Sequence, residues 1–211
     1  MNRDQIQTIL DEHVAGPLGV DHRYAVLCAL IDVDGEEHVL FEKRSSKLTS
    51  HTSEVSLPGG RIEEGETPRD AAFRETIEEL RIAPSHLEIF GEADYLVTRR
   101  NQAVHCFIGA IRGLRPEDID PSPDEVDYVF SVPLSFFLTS KPEVHVIEFA
   151  KTDDRDFPYD LIPSTMEVSF RNVRDHIFFY KDEDAPDKEN IVWGMTAKIM
   201  YGIARLLRKD L

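Results

Sequence analysis

The chain has 211 residues, 41% of them hydrophobic, with charges of both signs mixed throughout, which is the composition of a globular protein able to bury one well-formed core. Forty acidic residues against 24 basic ones leave a formal net charge of −16, the wrong sign for a surface that follows a phosphate backbone, and no apolar run reaches the roughly 18 residues of a membrane-spanning helix. Neither nucleic acid nor a membrane is therefore an expected partner, and any phosphate chemistry has to rely on bound cations and a local basic patch.

Residues 4–12 read as a short helix that carries acids and lacks the apolar stretch of a secretory signal; the closing RKDL is not a retention sequence, so a cytoplasmic location is expected. Period-2 alternation begins near Tyr24, runs through AVLCALIDV and stops at Asp34-Gly35, after which HVLFEKR returns as a hairpin partner. Cys28 and Cys106 lie in such apolar, strand-like segments and are expected to be buried core thiols. A polar loop leads to residues 55–57, the turn Pro58-Gly59-Gly60, a strongly marked helix, and strand-like runs at 87–98 and 102–112.

The proline- and acid-rich stretch 115–125 is a predicted loop, and VDYVFSVPLSFFL after it reads as a strand running into a short helix. Further strand candidates are VHVIEF, MEVSF and HIFFY, with an acidic loop insertion at about 151–165 between the first two. The final segment places Met195, Ile199, Ile203, Leu206 and Leu207 on one helical face, with Arg205, Arg208 and Lys209 in its last turns. Such a stripe suits core packing or a homodimer interface. The whole is expected to form one domain over 1–211, with its core at about 22–207.

The chemistry concentrates at TPRDAAFRETIEELR. Thr67 is a suitable N-cap, Pro68 suits the first helical position, and Asp70 lies in the first turn. At 100° per residue, Phe73, Ile77 and Leu80 gather within about 60°, and Glu75, Glu78 and Glu79 within about 100° on the opposite side. Three carboxylates at this spacing repel unless a cation lies between them. Oxygen-only donors favour a hard ion, Mg²⁺ or Mn²⁺, over zinc. Ala71 and Ala72, on the glutamate side, would leave room for a bulky ligand. A charge run alone usually means a solvated face, but LPGGRIEEGE immediately upstream supplies a glycine turn able to approach a metal or phosphate, with Glu66 and Arg74 available to orient the set.

The stretch GRIEEGETPRDAAFRETIEELRI, residues 60–82, resembles the Nudix box, G-x5-E-x7-R-E-U-x-E-E-x-G-U with U a bulky aliphatic, with Gly60, Glu66, Arg74, Glu75, Glu78, Glu79 and Ile82 in register. Thr76 replaces the first aliphatic residue and Arg81 the glycine. Upstream, LFEKRSSKLTSHTSEVSLPGG is similar to the corresponding segment of coenzyme A pyrophosphatases, LLTxRSxxLRxHxGxVxFPGG, agreeing at Arg44, Ser45, Leu48, His51, Val55, Pro58, Gly59 and Gly60. Thr49, Ser53 and Leu57 depart from it.

The resemblance implies a Nudix α/β/α sandwich, an α/β fold with a mixed sheet, here followed by a C-terminal helix. It implies Mg²⁺ or Mn²⁺ held by Glu75, Glu78, Glu79 and the Gly59 carbonyl, with Arg74 and Glu66 orienting them. The general base would be Glu79 or Glu75, with the loop acid Glu125 as an extra ligand or the base. The substrate would be a small nucleoside-diphosphate compound, coenzyme A or a derivative of it, cut to 3′,5′-ADP and 4′-phosphopantetheine. Arg44, His51 and Arg61 are the substrate-side candidates in the matched segments, with Lys47, Arg99 and Arg100 as further cations, and Tyr95 and Phe107 could stack an adenine. ADP-ribose, a dinucleotide or a nucleotide sugar would use the same metal site, and a non-catalytic nucleotide sensor would keep the fold alone.

Overall fold

The computed structural model describes residues 1–13, 16–49, 51–149, 173–181 and 190–208. Its first helix, α1 (Arg3–Glu12), opens on a reciprocal cap between Asn2 and Gln5, each side chain accepting the other's backbone N–H at 2.9 Å. No residue of α1 is buried. β1 (His22–Val33) and β2 (Glu36–Arg44) form the expected hairpin. Asp34 and Gly35 both take positive φ at its tip, the backbone that matches strand twist in a two-residue turn.

The chain then adds β3 (Val55–Ser56) beside β2 and β4 (Gly59–Arg61) beside β1, before α2 (Pro68–Leu80). β5 (Leu87–Glu92), β6 (Leu96–Val97), β7 (Gln102–Ile111), β8 (Val126–Pro133) and α3 (Leu134–Thr139) follow. The main sheet runs β3-β2-β1-β7-β5, with β4 on β1, β6 on β7 and β8 on β2. It is mixed, since β1 and β7 are parallel while the hairpins around them are antiparallel. A second, antiparallel sheet holds β9 (Glu143–Phe149), β10 (Val173–Tyr180) and β11 (Val192–Trp193), and α4 (Gly194–Leu207) follows it. The expected strand MEVSF and the 151–165 insertion lie outside the described residues. Among the described residues no helix is long and apolar enough to cross a membrane.

Alternation along β1 divides the core in two. Ala25, Leu27, Ala29 and Ile31 face α2 together with Leu40, Leu80, Phe107 and Ile111. Cys28 faces the other way, with Val39, Phe41, Cys106, Phe137 of α3 and Met200 of α4. Helices therefore cover both faces of the sheet, the layering expected of the α/β/α sandwich. Cys28 and Cys106 are buried and unbridged, and burial pushes both thiols up to about 12; neither is poised for chemistry.

Two helical faces differ from the sequence expectation. On α4 the buried stripe is Thr196, Ala197, Ile199, Met200, Ile203 and Ala204, while Met195 is exposed. Small residues let α4 approach the sheet closely, and an apolar stripe weighted by size misses them. Arg208 lies beyond the helix end and donates to the carbonyls of Phe137 and Ser140, at 2.6 and 3.1 Å, so it satisfies the exposed end of α3. On α2, Ala71, Ala72, Thr76 and Leu80 are all fully buried. Ala71 and Ala72 thus hold the helix against the sheet rather than leaving room for a ligand, and Phe73 and Ile77 lie only partly buried on the flank.

Both departures within the box are local. Thr76 is buried with its hydroxyl donating to the Ala72 carbonyl at 2.7 Å, which replaces packing by a back-bond. Arg81 ends α2 in the left-handed region, φ 52 and ψ 37, where glycine has no Cβ penalty. Its ion pair with Asp120, 3.2 Å between exposed side chains, is worth little. Arg81→Gly is therefore expected to raise stability by up to about 1 kcal/mol. A lower urea midpoint for the variant would show that the Asp120 pair outweighs the strained cap.

Candidate active site

The site forms where α2 crosses the Pro58-Gly59-Gly60 turn. α2 starts as expected, with Thr67 Oγ1 accepting from the Asp70 N–H at 3.2 Å and Pro68 following it. The helix packs on β1 and β4. Gly60 has no side chain where the Glu75 carboxylate lies: a Cβ there would fall 2.3–2.6 Å from its carboxyl atoms. Gly59 donates its N–H to Glu79 Oε2 at 2.7 Å. The turn therefore receives two of the three glutamates directly.

Arg74 organises the others. Its Nε and Nη2 form a fork onto the Glu66 carboxylate at 2.9 and 3.1 Å, Nη1 reaches Glu75 at 2.9 Å and Glu78 at 3.1 Å, and Nη2 also donates to the Arg61 carbonyl at 3.1 Å. A guanidinium can serve this many acceptors because its donors are fixed in a plane. The hydrogen bonds from Arg74, then that from the Glu63 N–H, lower the Glu66 carboxyl below the usual range. Burial raises Glu75, partly offset by Arg74. Glu78 remains more than half exposed.

The acidic set does not lie opposite the packed face of α2, because Glu79 is itself buried, 4% exposed. What faces it is Glu42, on β2, which the sequence reading passed over. Leu40, Glu42 and Arg44 share one face of β2 by alternation, and Leu40 packs toward α2. Glu42 is fully buried, with Oε1 accepting from Ser56 Oγ at 2.8 Å. Arg44 Nη1 lies 3.6 Å from Glu42 and 3.8 Å from Glu79. Burial lifts both carboxyls above the usual range; Ser56, Arg44 and a hydrogen bond with Glu79 oppose this at Glu42, while repulsion from Glu42 adds to it at Glu79. A strand position alternating with apolar residues was the available signal for Glu42.

The 115–125 loop closes a third side. Ser122 N–H donates to the Glu79 carbonyl at 2.7 Å, and Ser45 N–H to the Glu125 carbonyl at 2.8 Å. This brings the exposed Glu125 close enough to raise Glu42 and Glu75 by repulsion. Lys47 contacts the same loop, donating to the Pro123 carbonyl at 3.1 Å.

Other candidates are placed elsewhere. His51 is an exposed loop residue bonded to Glu54 at 3.0 Å, and Arg61 is exposed on β4. Arg99 stacks on Phe149 at 3.6 Å and pairs with Asp175 at 3.3 Å, so it joins the turn before β7 to the second sheet rather than to the acids. Phe107 is core, 4% exposed, and cannot stack a base. Tyr95 is half-exposed and stacks on His105 instead. Ser53 adopts φ 57 and Leu57 is core. Those two departures from the coenzyme A pattern are thus matters of backbone and packing, and only Thr49, exposed on the loop, remains as a contact for a ligand.

In donor chemistry the set fits a hard divalent cation. All its donors are oxygens, several are mutually repelling carboxylates, and one oxygen, Glu42 Oε2, is buried with no N–H or hydroxyl donor. Among the described residues no three acidic, histidine or cysteine side chains already surround one point, since Arg74 and the Gly59 N–H draw the glutamates apart.

A NUDIX domain matches residues 21–149, well over half of the chain and inclusive of every residue of this site. The chain belongs to the Nudix family. It is 31% identical over 184 residues to the mitochondrial Nudix hydrolase 15 of Arabidopsis thaliana, a match covering 86% of this chain and 57% of that protein. It is 28% identical over 187 residues to the peroxisomal coenzyme A diphosphatase of Mus musculus, covering 88% of this chain and 70% of that one. Among solved structures, a MutT/nudix family protein from Enterococcus faecalis superposes with a TM-score of 0.50 at 14% identity, over 99% of this chain and 70% of that one. That likeness concerns the Nudix fold alone.

The raised carboxyls carry a pH prediction for the Nudix chain without metal. A folded-state value above the unfolded one means that folding takes up protons, so the contribution of Glu42 and Glu79 is complete below about 4.5 and is lost as pH rises through their folded values. The lowered Glu66 acts oppositely, losing its contribution as pH falls through its folded value. In chelator-containing buffer the melting temperature is expected to be highest in the weakly acidic range and to fall toward pH 8. A melting temperature that climbs steadily to pH 8 would contradict the buried acid pair.

Proposed function

We propose that this Nudix chain hydrolyses a diphosphate linkage within a nucleoside-diphosphate compound with the aid of a divalent cation, and that coenzyme A or a derivative of it is the substrate. The observation that supports the reaction class is the seating of Glu75 and Glu79 on the Gly59-Gly60 turn, with Glu78 tethered beside them through Arg74 and the loop acid Glu125 near enough to Glu75 to repel it. Similarity to a coenzyme A diphosphatase over 88% of this chain, and the matched segment from Arg44 to Gly60, support the substrate.

Nudix hydrolases generally require divalent metals; Glu75, Glu78, Glu79 and the Gly59 carbonyl would hold Mg²⁺ or Mn²⁺ here. Bound there, the cation would neutralise diphosphate charge and acidify the attacking water. Arg74 and Glu66 keep the helix carboxylates in place. Glu79, Glu75 or the loop acid Glu125 accepts the proton of that water. One P–O bond forms to water and one breaks in the anhydride, giving two phosphate monoesters without a covalent enzyme intermediate.

The test is a Mg²⁺- or Mn²⁺-dependent screen over coenzyme A, its thioesters, ADP-ribose, NADH and nucleotide sugars, with products resolved by mass. Release of 3′,5′-ADP from coenzyme A is the expected outcome. Cleavage of another diphosphate with coenzyme A spared would remove the substrate assignment, and nucleotide binding with no cleavage at all would replace the enzyme by a sensor.

A further inference from the structure

We propose that Glu42 belongs to the cation centre of this chain, its buried Oε2 acting as an additional carboxylate donor beside Glu79. The inference rests on the metal-dependent reading above and goes beyond the helix glutamates that the Nudix box supplies.

Glu42 lies outside the box, on β2, and is wholly shielded from solvent. Ser56 and Arg44 engage its Oε1, while Oε2 is buried with no N–H or hydroxyl donor, the Glu79 carboxyl being the remaining group that bonds Glu42. Across from it, Glu79 spends Oε2 on the Gly59 N–H and holds Oε1 3.8 Å from the same Arg44. One guanidinium is thus shared between two buried carboxylates, and its own Nε is buried without a partner as well. Native interiors rarely leave a carboxylate oxygen in this condition, and uncompensated buried charge is strongly unfavourable.

A well-packed hydrophobic residue would cost less than a carboxylate at this fully buried position. A divalent ion beside Glu79 would engage the oxygen that no N–H or hydroxyl donor serves. Ser56 would then hold the carboxylate in orientation, as hydrogen-bonded partners of metal ligands do.

Mn²⁺ binding to the full chain, followed by electron paramagnetic resonance, and the Mn²⁺-induced rise in melting temperature above a chelated sample, test this without reference to turnover. Three variants are compared with the parent: Glu42→Gln, which preserves shape, Glu42→Thr, in case the amide disturbs folding, and Glu79→Gln. Binding at least about tenfold weaker, with a smaller Mn²⁺-induced rise, is expected for both Glu42 variants and for Glu79→Gln. Glu42 variants that bind Mn²⁺ like the parent while Glu79→Gln is impaired would overturn the role of Glu42 and leave the proposed function standing. Parent-like binding by Glu79→Gln, or no binding by the parent, would overturn both.

Discussion

Glu79→Gln is expected to lower kcat by two to four decades while melting higher than the parent in metal-free buffer. The loss follows from removing a candidate base and ligand at once, for which about 10²- to 10⁴-fold is typical of the proton-transfer role alone. The gain in stability has a separate cause. Glu79 is buried against Glu42, with burial and mutual repulsion both opposing ionisation. An amide there still accepts from the Gly59 N–H and keeps the hydrogen bond to Glu42 without needing a carboxyl proton, removing a repulsion worth about 1–3 kcal/mol. Activity and thermal scans on one preparation check both halves. Turnover within a few-fold of the parent would remove Glu79 from the chemistry, and a lower melting point would mean that the charge on Glu79 stabilises the fold.

The two glycines of the turn are expected to fail in different ways when changed to alanine. Gly59 has φ 145, and a Cβ there would lie 2.3 Å from the Ala25 carbonyl oxygen and 2.5 Å from the Val26 Cα. These are backbone atoms of the central strand and cannot step aside. Gly59→Ala is expected to cost about 3–5 kcal/mol, summing backbone strain and overpacking, and to displace the N–H that Glu79 uses. At Gly60 the obstacle is only the far end of the Glu75 side chain. Gly60→Ala is expected to fold within about 1 kcal/mol of the parent, yet to lose about 10²-fold in kcat/KM by shifting that carboxylate. Urea midpoints and rates for the pair separate the outcomes. Equal destabilisation by both would show that Glu75 cannot move, and full activity in Gly60→Ala would show that its position is not critical.

The two mutations describe one design. Glycine at the turn lets the helix carboxylates come down onto backbone, and the small residues Ala72 and Thr76 let α2 come down onto the sheet. Close approach at both contacts carries Glu79 out of solvent and against β2. Arg74 tethers the exposed part of the set, and Arg44 partly compensates the buried part.

Much of this is legible in the amino-acid sequence. Thr67, Pro68 and the glycine turn are local signals acting on their own backbone, so the helix limits and the hairpin at Asp34-Gly35 follow from nearest neighbours. The box spacing named the acids, and the apolar run from Tyr24 to Val33 marked the strand β1. Other features depend on which strands become neighbours, and periodicity within one segment carries no such information. Glu42 and Glu79 are 37 positions apart, and only the β1–β2 hairpin and the crossing of α2 put them face to face. The same distance effect sends Arg99 to Phe149, buries Phe107 in the core, and draws Glu125 toward the acids through the Ser122 and Ser45 backbone bonds. The sequence by itself determined the elements and the reactive residue types. Only the tertiary structure decided which charges share a buried space, because desolvation and repulsion depend on through-space distance and on what excludes water.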